Sequence, residues 1–490
     1  MATCDMDVVI IGAGISGINA AYRLQTKCPN KSYTIIEDRF DMGGTWDLFQ
    51  YPGIRSDSDL QTFGFAWRPW QGDTIARGDL IKTYIKESAS LHGIDTKISY
   101  GHRLVGADWR SESQSWSLQV DVHDRKWKVT ARKTFNAKFL ILGTGYYNYE
   151  EPLDVVIHGL ENFKGTVVHP QFWPGQLDCT YRKVVIIGSG ATAVTLLPVL
   201  AETAGKVTML QRSPGYIVAR PKADAVGDFI KRWLPLWLAH EVIRLRFLLL
   251  GLFFFNFCKA YPEAAKRALK KRTSALLPPN VEYSPHFEPK YNPWDQRMCL
   301  CPDGDFYTSL HAGKAGVATG VVETMTSDKI ILESGQEIEA DIIVTATGLK
   351  LRVGGGAKIS VDGEPYEVGK HFVWRGVMLQ NLPNAALVLG YTNASWTLGA
   401  DAAALHICRL LNSMDIKGQT SVVPFIEDPD SVKPMQAMNL KSTYLIRAKG
   451  TMPMAGDKAP WTARRNYFID TWQSRRSNLV DGLKFFSVST

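Results

Sequence analysis

Cysteine is sparse in this chain and badly placed for chemistry. The seven are Cys4, Cys28, Cys179, Cys258, Cys299, Cys301 and Cys408. Their number is odd and no two are spaced C-x-x-C, which excludes a disulfide framework, a zinc ribbon and a dithiol redox centre and suits a reducing cytoplasm. Cys299 and Cys301 have the wrong spacing for those sites and read as core filler. The ten histidines show no ligand spacing, so no metal site is expected. There is no arginine-rich run and no RNA-type motif. The net charge of +8 therefore reads as a solvated surface or a bias toward anionic cofactors, not as a nucleic-acid footprint. No signal peptide is visible, because the apolar run Val8–Ile11 leads straight into glycines. The one membrane-like stretch, Phe247–Cys258, is flanked by Arg244, Arg246 and Lys259 and is shorter than the ~20 residues a spanning helix needs. It is expected to form a buried or substrate-facing helix, with weak membrane association as the alternative.

What is present is two nucleotide-binding signals in a chain of 490 residues, long enough for two or three domains. Asp7–Ile11 reads as a buried parallel strand, followed by Gly12-Ala13-Gly14-Ile15-Ser16-Gly17 and a helical run to about Leu24. This is G-x-G-x-x-G in its proper setting, where glycines admit a pyrophosphate and a helix N-terminus faces its charge. A second strand, Ser32–Ile36, ends at Glu37, placed to accept hydrogen bonds from a ribose diol. FAD and NAD both fit this unit. The pattern restarts at strand Lys183–Ile187 with Gly188-Ser189-Gly190-Ala191-Thr192-Ala193, and its next strand, Lys206–Leu210, leads to Arg212 in the place of Glu37. An arginine there suits a 2′-phosphate, which makes the second cofactor NADPH.

Between and after these units lie a Gly/Pro-punctuated loop, Gly43–Asp59, a helix over Leu80–Leu91, and a small antiparallel sheet from Leu104 to Leu142 with Trp109, Trp116 and Trp127 interleaved for packing. Lys138–Leu142 and Asp341–Gly348 both end in x-T-G. Residues 223–277 look wholly helical. A strand and a helix are expected across Leu387–Asn412, with a turn at Gly390–Asn393. The tail, Lys458–Phe486, reads as a loop and a short closing element.

Two cofactor sites without a dithiol or metal leave reduced flavin and dioxygen as the chemistry, and two longer motifs sharpen this. F-x-G-x-x-x-H-x-x-x-W-P is matched by Phe163, Gly165, His169, Trp173 and Pro174. G-G-x-W-x-x-x-x-[FY]-P-G-x-x-x-D is matched by Gly43, Gly44, Trp46, Tyr51, Pro52, Gly53 and Asp57. Together they resemble the type I Baeyer–Villiger monooxygenases, class B flavoprotein monooxygenases. The stretches GYYNYEE, HPQFWP, IGSGATAVTLLP, YNPWDQR and GYTNASWTL carry a closer likeness to one mycobacterial branch.

The resemblance implies an FAD enzyme that NADPH reduces, that activates O2, and that inserts one oxygen beside a ketone carbonyl to give an ester or lactone. Oxygenation of sulfides and thioamides is the side activity. It implies Arg297 as the active-site cation and Asp57 as its partner, with Asp59 as the alternative partner. A fixed cation there stabilises an anionic oxygen nucleophile and the oxyanion adduct, and arginine stays protonated at any working pH. The resemblance also implies FAD contacts from Gly12, Gly14, Ser16, Gly17, Glu37, Thr45, Trp46, Asp47, Leu48, Asp57 and the Leu104 backbone. It implies NADP contacts from Arg55, Ser56, Asp57, Ser189, Gly190, Ala191, Thr192, Ala193, Val194, Thr195, Arg212 and Ser213. Many family members carry a lysine where this chain has Gln296, which shifts the 2′-phosphate burden onto Arg212. His169 is expected as a hinge residue between the domains more than as a proton carrier.

The expected fold is α/β, with two Rossmann-like dinucleotide-binding domains and a helical insertion. The FAD domain spans 1–146 and 383–490, the NADP domain 149–221 and 292–382, and the insertion 222–291. Hydrophobic ketone or sulfide substrates are expected. The alternatives are an N/S-oxygenating flavin monooxygenase, which would not need Arg297, and a catalytically idle NADP-binding sensor.

Overall fold

The computed structural model describes residues 5–391, 393–437, 448 and 450–487; Cys4 and Thr392, noted above, lie outside these. Two sheets organise the chain. In the first, Met6–Ile11 lies between Tyr33–Ile36 and Val129–Leu142, parallel to both. Val8, Val9 and Ile10 are fully buried, as a parallel strand covered on both faces requires. In the second, all strands are parallel, in the order Ala315–Thr319, Lys206–Gln211, Lys183–Ile187, Ile342–Thr345, Thr166–Val168.

The antiparallel segment after residue 102 is not a small separate sheet. Its strands His102–Arg110, Ser115–His123 and Val129–Leu142 run on into the first sheet, because the 14-residue last strand pairs with Ser115–His123 along most of its length and with Met6–Ile11 at its C-terminal end. Trp109 and Trp116 pack edge to face in its core, with ring centroids 5.7 Å apart. Trp127 differs from expectation. It sits on the turn at φ 61°, half exposed and edge-on to Phe40.

The chain returns to the first sheet earlier than residue 383. Lys358–Val361 pairs with His102–Arg110, and Val373–Trp374 and Met378–Leu379 extend the same sheet toward Ala385–Leu387. Strand pairing thus crosses back before the expected 382/383 boundary: the last segment of the chain to join the second sheet is Ile342–Thr345, and Leu349–Leu351 already pairs with the outgoing linker strand Tyr147–Pro152. The two crossings thus form one antiparallel ribbon, tied by ion pairs of Lys350 with Glu151 and of Arg352 with Glu150.

Three helices, Ala225–Trp233, Leu236–Ala260 and Pro262–Ser274, form the insertion. The apolar run Phe247–Cys258 lies inside the 25-residue middle helix. Only its ends, Phe247 and Cys258, are buried, while Leu249, Leu250 and Phe253 are exposed. Of the expected buried or substrate-facing helix, the structure corrects the buried part. This helix is anchored by Arg244, which donates to the carbonyls of Gln61 and Gly64. The tail holds more structure than its sequence suggests: a helix over Tyr467–Arg476, capped by the Asn466 side chain, and a strand Leu483–Phe486 paired with Ser421–Pro424.

Candidate active site

One cavity runs along the C-terminal ends of strands in the first sheet, past Ile11, Ile36 and Gly143, and reaches the start of the helix Ala191–Thr203 beside the second, where open α/β sheets bind ligands. Its walls come from both Gly-rich turns: Gly12, Gly14 and Ser16 of the first, Ala191, Thr192 and Thr195 of the second. The Tyr51 hydroxyl reaches Thr192, so the loop after the first unit closes onto the second.

The first turn is shaped for a close backbone approach. Gly12 sits at φ 99°, and a Cβ there would lie 2.8 Å from the Gly143 carbonyl oxygen. At Gly17 a Cβ would fall 1.8 Å from the Gly12 oxygen, so this glycine serves helix–strand packing and does not line the cavity. Gly14 leaves the helix Ile15–Lys27 without a side-chain cap, and its first N–H groups open toward the cavity. Glu37 is buried in the wall, with Oε2 accepting from Ala13 N–H at 2.6 Å and Oε1 from Arg39 N–H at 2.9 Å. Burial pushes its carboxyl up to about 7 despite these donors. A glycine cradle, open helix amides and an acid at the end of the second strand are the donor set that an adenine dinucleotide takes, so these residues fit FAD.

Arg297 and Asp57 meet in the same wall. Arg297 Nε lies 2.9 Å from Asp57 Oδ2 and Nη2 lies 3.0 Å from Oδ1, a two-pronged pair, and Nη2 also reaches Ser58 Oγ at 3.1 Å. Asp59 is not the partner. It caps the short helix Leu60–Phe63, accepting from Thr62 N–H and Oγ1 at 2.9 Å each, and burial raises its pKa. Arg55 also lines the cavity, with its guanidinium held by Asp305. Cys299 and Cys301 are buried and burial pushes both thiols up to about 12, so both stay protonated.

The cavity gathers Thr45, Trp46, Ser56 and Leu104 from the expected set as well. It does not gather Asp47 or Leu48, and Asp47 spends its carboxylate on Arg39 at 2.5 Å and Lys82 at 2.6 Å. Ser189, Gly190, Ala193, Val194, Arg212 and Ser213 also lie outside its wall. Ser189 Oγ donates to the Ser213 carbonyl, which ties the second turn to the end of its neighbouring strand, where Arg212 is exposed.

Some wall residues were given no role by the motifs, although the stretches GYTNASWTL and GYYNYEE contain them. Trp396 donates from Nε1 to Ser16 Oγ at 2.8 Å and stacks on Tyr146, with centroids 4.8 Å apart. Tyr147 and Tyr149 line the same region. Those two stretches were the sequence signal for them, as carriers of likeness and not as assigned contacts.

In the fingerprint, His169 lies away from this cavity. Its Nδ1 accepts from Gln171 N–H at 3.2 Å, and it is turned toward Gly348, where the returning ribbon begins. Burial lowers its pKa, which keeps the ring neutral. Phe163 is in the second sheet's core, Trp173 packs on its other face, and Gln171 donates to the Asn148 carbonyl of the linker at 2.8 Å.

A family profile described as pyridine nucleotide-disulphide oxidoreductase matches residues 6–234. The FAD-containing monooxygenase EthA of Mycobacterium tuberculosis is 44% identical over 484 residues, covering 98% of this chain and 97% of its own. Among solved structures, OTEMO in complex with FAD and NADP superposes with a TM-score of 0.75 at 17% identity, covering 99% of this chain and 100% of its own. The polycyclic ketone monooxygenase of the thermophilic fungus Thermothelomyces thermophila gives 0.77 at 16%, covering 99% and 90%. These last two share the fold. The likeness to EthA extends over nearly the whole of both chains and includes both Gly-rich turns and the loop that carries Arg297, and on that ground the chain belongs to the family of FAD-containing monooxygenases.

Proposed function

We propose that this monooxygenase performs Baeyer–Villiger oxidation. In this reading NADPH is the electron donor, hydrophobic ketones become esters or lactones, and sulfides and thioamides are oxygenated as a side activity. Bound flavin supplies hydride acceptance from NADPH and dioxygen activation. The protein's part is binding, orientation and electrostatics. Open amides at the start of Ile15–Lys27 hold the pyrophosphate, and Glu37 faces the ribose. Arg212 and Ser213 take the 2′-phosphate, and with Gln296 in place of the family's lysine Arg212 carries most of that recognition. Arg55, steadied by Asp305, and Thr192 and Thr195 shape the junction between the two nucleotide sites.

The observation that carries this reading is the Arg297–Asp57 fork in a wall shared by both Gly-rich turns. Reaction at a ketone requires an anionic attacking oxygen, whose charge passes to the former carbonyl oxygen as the new bond forms and the C=O π bond breaks. A guanidinium fixed by two hydrogen bonds meets that charge without reorganising. An N- or S-oxygenating enzyme uses its oxygen as an electrophile and has no need of such a cation. Gas chromatography of products from a ketone panel, run with NADPH and air, tests the proposal. Ester formation by the wild type that disappears in Arg297→Ala supports it. Ester formation that survives the substitution refutes it.

A further inference from the structure

The insertion carries an exposed apolar face that the reaction does not use. On the helix Leu236–Ala260, Val242, Leu245, Leu249 and Phe253 recur at intervals of three and four residues, which puts them on one stripe. All four are exposed, and Phe253 is 70% accessible. The preceding helix, Ala225–Trp233, adds Val226, Phe229 and Trp233 in the same rhythm, and Leu236 and Trp237 bridge the two. Trp233 and Trp237 are 71% and 72% exposed, which is unusual for tryptophan away from a binding surface.

Charge identifies the occupant. Residues 222–274 hold eleven Lys and Arg against four Asp and Glu, a net of +7, while the whole chain carries +8. Arg267, Lys271 and Arg272 are exposed on the helix Pro262–Ser274, which follows the apolar helix after a single residue. A stripe of leucine, phenylalanine and tryptophan beside a cationic helix is the pattern of a segment that lies in a lipid interface. No helix among the described residues is long and apolar enough to cross a membrane.

We infer that this face docks the enzyme onto the surface of an anionic phospholipid bilayer, with the stripe from Val226 to Phe253 dipping among the acyl chains and Arg267, Lys271 and Arg272 pairing with headgroups. The docked helix also touches the loop of the active site. Lys259 pairs with Asp295 at 2.9 Å, and Phe255 meets Trp294 edge-on with centroids 5.6 Å apart. Lipid-dissolved substrate is thus delivered beside Arg297's own segment. The inference does not depend on which substrates are oxidised.

The test is co-sedimentation of the FAD-loaded enzyme with vesicles of phosphatidylglycerol and phosphatidylcholine, against vesicles of phosphatidylcholine alone. Binding to the anionic vesicles is expected to exceed binding to the neutral ones at least tenfold and to fall steeply with added salt. The double variants Leu249→Gln/Phe253→Gln and Lys271→Glu/Arg272→Glu should each lower it on the order of tenfold or more, with flavin content and turnover of a water-soluble ketone unchanged. Should either variant misfold, brominated lipids provide a second measurement on the wild type, where they should quench tryptophan fluorescence. Equal binding to both vesicle types, or none to either, overturns the inference. So does sedimentation equilibrium showing that the apolar variant merely dissociates an oligomer, because the face would then belong to a second copy of the chain.

Discussion

Replacing Arg297 by alanine should separate rate from stability. The guanidinium meets Asp57 through two bonds of 2.9 and 3.0 Å, but the side chains are 30% and 37% exposed. A pair so wetted contributes only about 0.5–1 kcal/mol to folding after solvent screening. The same cation acting on a developing oxyanion is worth about 2.7–4 kcal/mol, or roughly 10²–10³ in kcat. Arg297→Ala is therefore expected to melt within a few degrees of the wild type and to bind FAD, yet to lose ester formation by two to three orders of magnitude, on the order expected for one removed oxyanion donor. NADPH should still bleach the flavin under nitrogen, and in air the electrons should emerge as hydrogen peroxide.

Two companions define the mechanism. Arg297→Lys keeps the charge but cannot hold both oxygens of Asp57, so it should fall between wild type and alanine. Asp57→Asn keeps the shape, removes the counter-charge and loosens the fork, and should cost roughly tenfold, since a hydrogen bond to a charged group is worth about 1.5–3 kcal/mol. The assay is ester by gas chromatography against NADPH consumed, with anaerobic flavin reduction followed at its absorbance maximum. Ester formation in Arg297→Ala within about threefold of wild type would refute the electrostatic role. Loss of flavin reduction in that variant would move Arg297 into cofactor binding instead.

Glu37, with its carboxyl raised to about 7, keeps a proton in the folded flavin-free protein that the unfolded chain sheds near the ordinary value of 4.5. Stability should thus fall as pH rises through that window, by on the order of 3 kcal/mol, and Glu37→Gln should flatten the fall; parallel melting curves from pH 4.5 to 7 in both proteins would contradict this. Arg212→Ala should raise KM for NADPH by roughly 10–100-fold, the value of one charge-assisted contact, and leave NADH kinetics alone; equal losses with both nucleotides would place the 2′-phosphate elsewhere. Gly165→Ala would set a Cβ 2.4 Å from the Asp341 oxygen, which should cost about 1–3 kcal/mol of stability, measurable by thermal unfolding. His169→Ala should fold and bind FAD but divert electrons from product to peroxide; an unchanged ratio of product to NADPH would discard the hinge role.

The nucleotide-binding start of the first sheet was legible because a buried parallel strand, a glycine turn and a helix are local events, each written in consecutive residues. The same holds for the second unit. Arg297 and Asp57, 240 residues apart, were joined only through family resemblance, since no periodicity connects them. Trp396 escaped notice for a related reason. Its hydrogen bond to Ser16 spans 380 residues, and on its own sequence it is merely an aromatic opening a helix. Asp47 shows the opposite case: the resemblance drew it toward the cofactor, and in the structure its carboxylate pairs with Arg39 and Lys82, themselves unremarkable in the sequence. The return to the first sheet before residue 383 was hidden because its strands are very short: Lys358–Val361 finds its partner in His102–Arg110, about 250 residues upstream, and Val373–Trp374 joins the sheet only through the neighbouring two-residue strand Met378–Leu379. Phe247–Cys258 misled because hydrophobicity alone does not say which side of a helix has a neighbour.

The stretch from Phe163 to Pro174 carries the family fingerprint without lining the cavity that holds the Arg297–Asp57 pair. Its residues pack the second sheet and face the linkers. Phe163 enters the second sheet's core, Gly165 makes room for the Asp341 carbonyl, Gln171 grips the outgoing linker at Asn148, and His169 faces the returning one at Gly348. Those linkers, Tyr147–Pro152 and Leu349–Leu351, are zipped into one ribbon. Any rotation of one sheet against the other must bend that ribbon, and the motif sits at its root. In the proposed hinge, a neutral, half-buried ring beside both the 3₁₀ turn after it and the start of the ribbon would set the angle at which the two nucleotide sites face each other. Electron transfer tolerates small errors in that angle less well than binding does, because orientation of the reacting atoms is where enzymes gain much of their rate. A substitution there should therefore be read in the partition between product and peroxide before it is read in affinity.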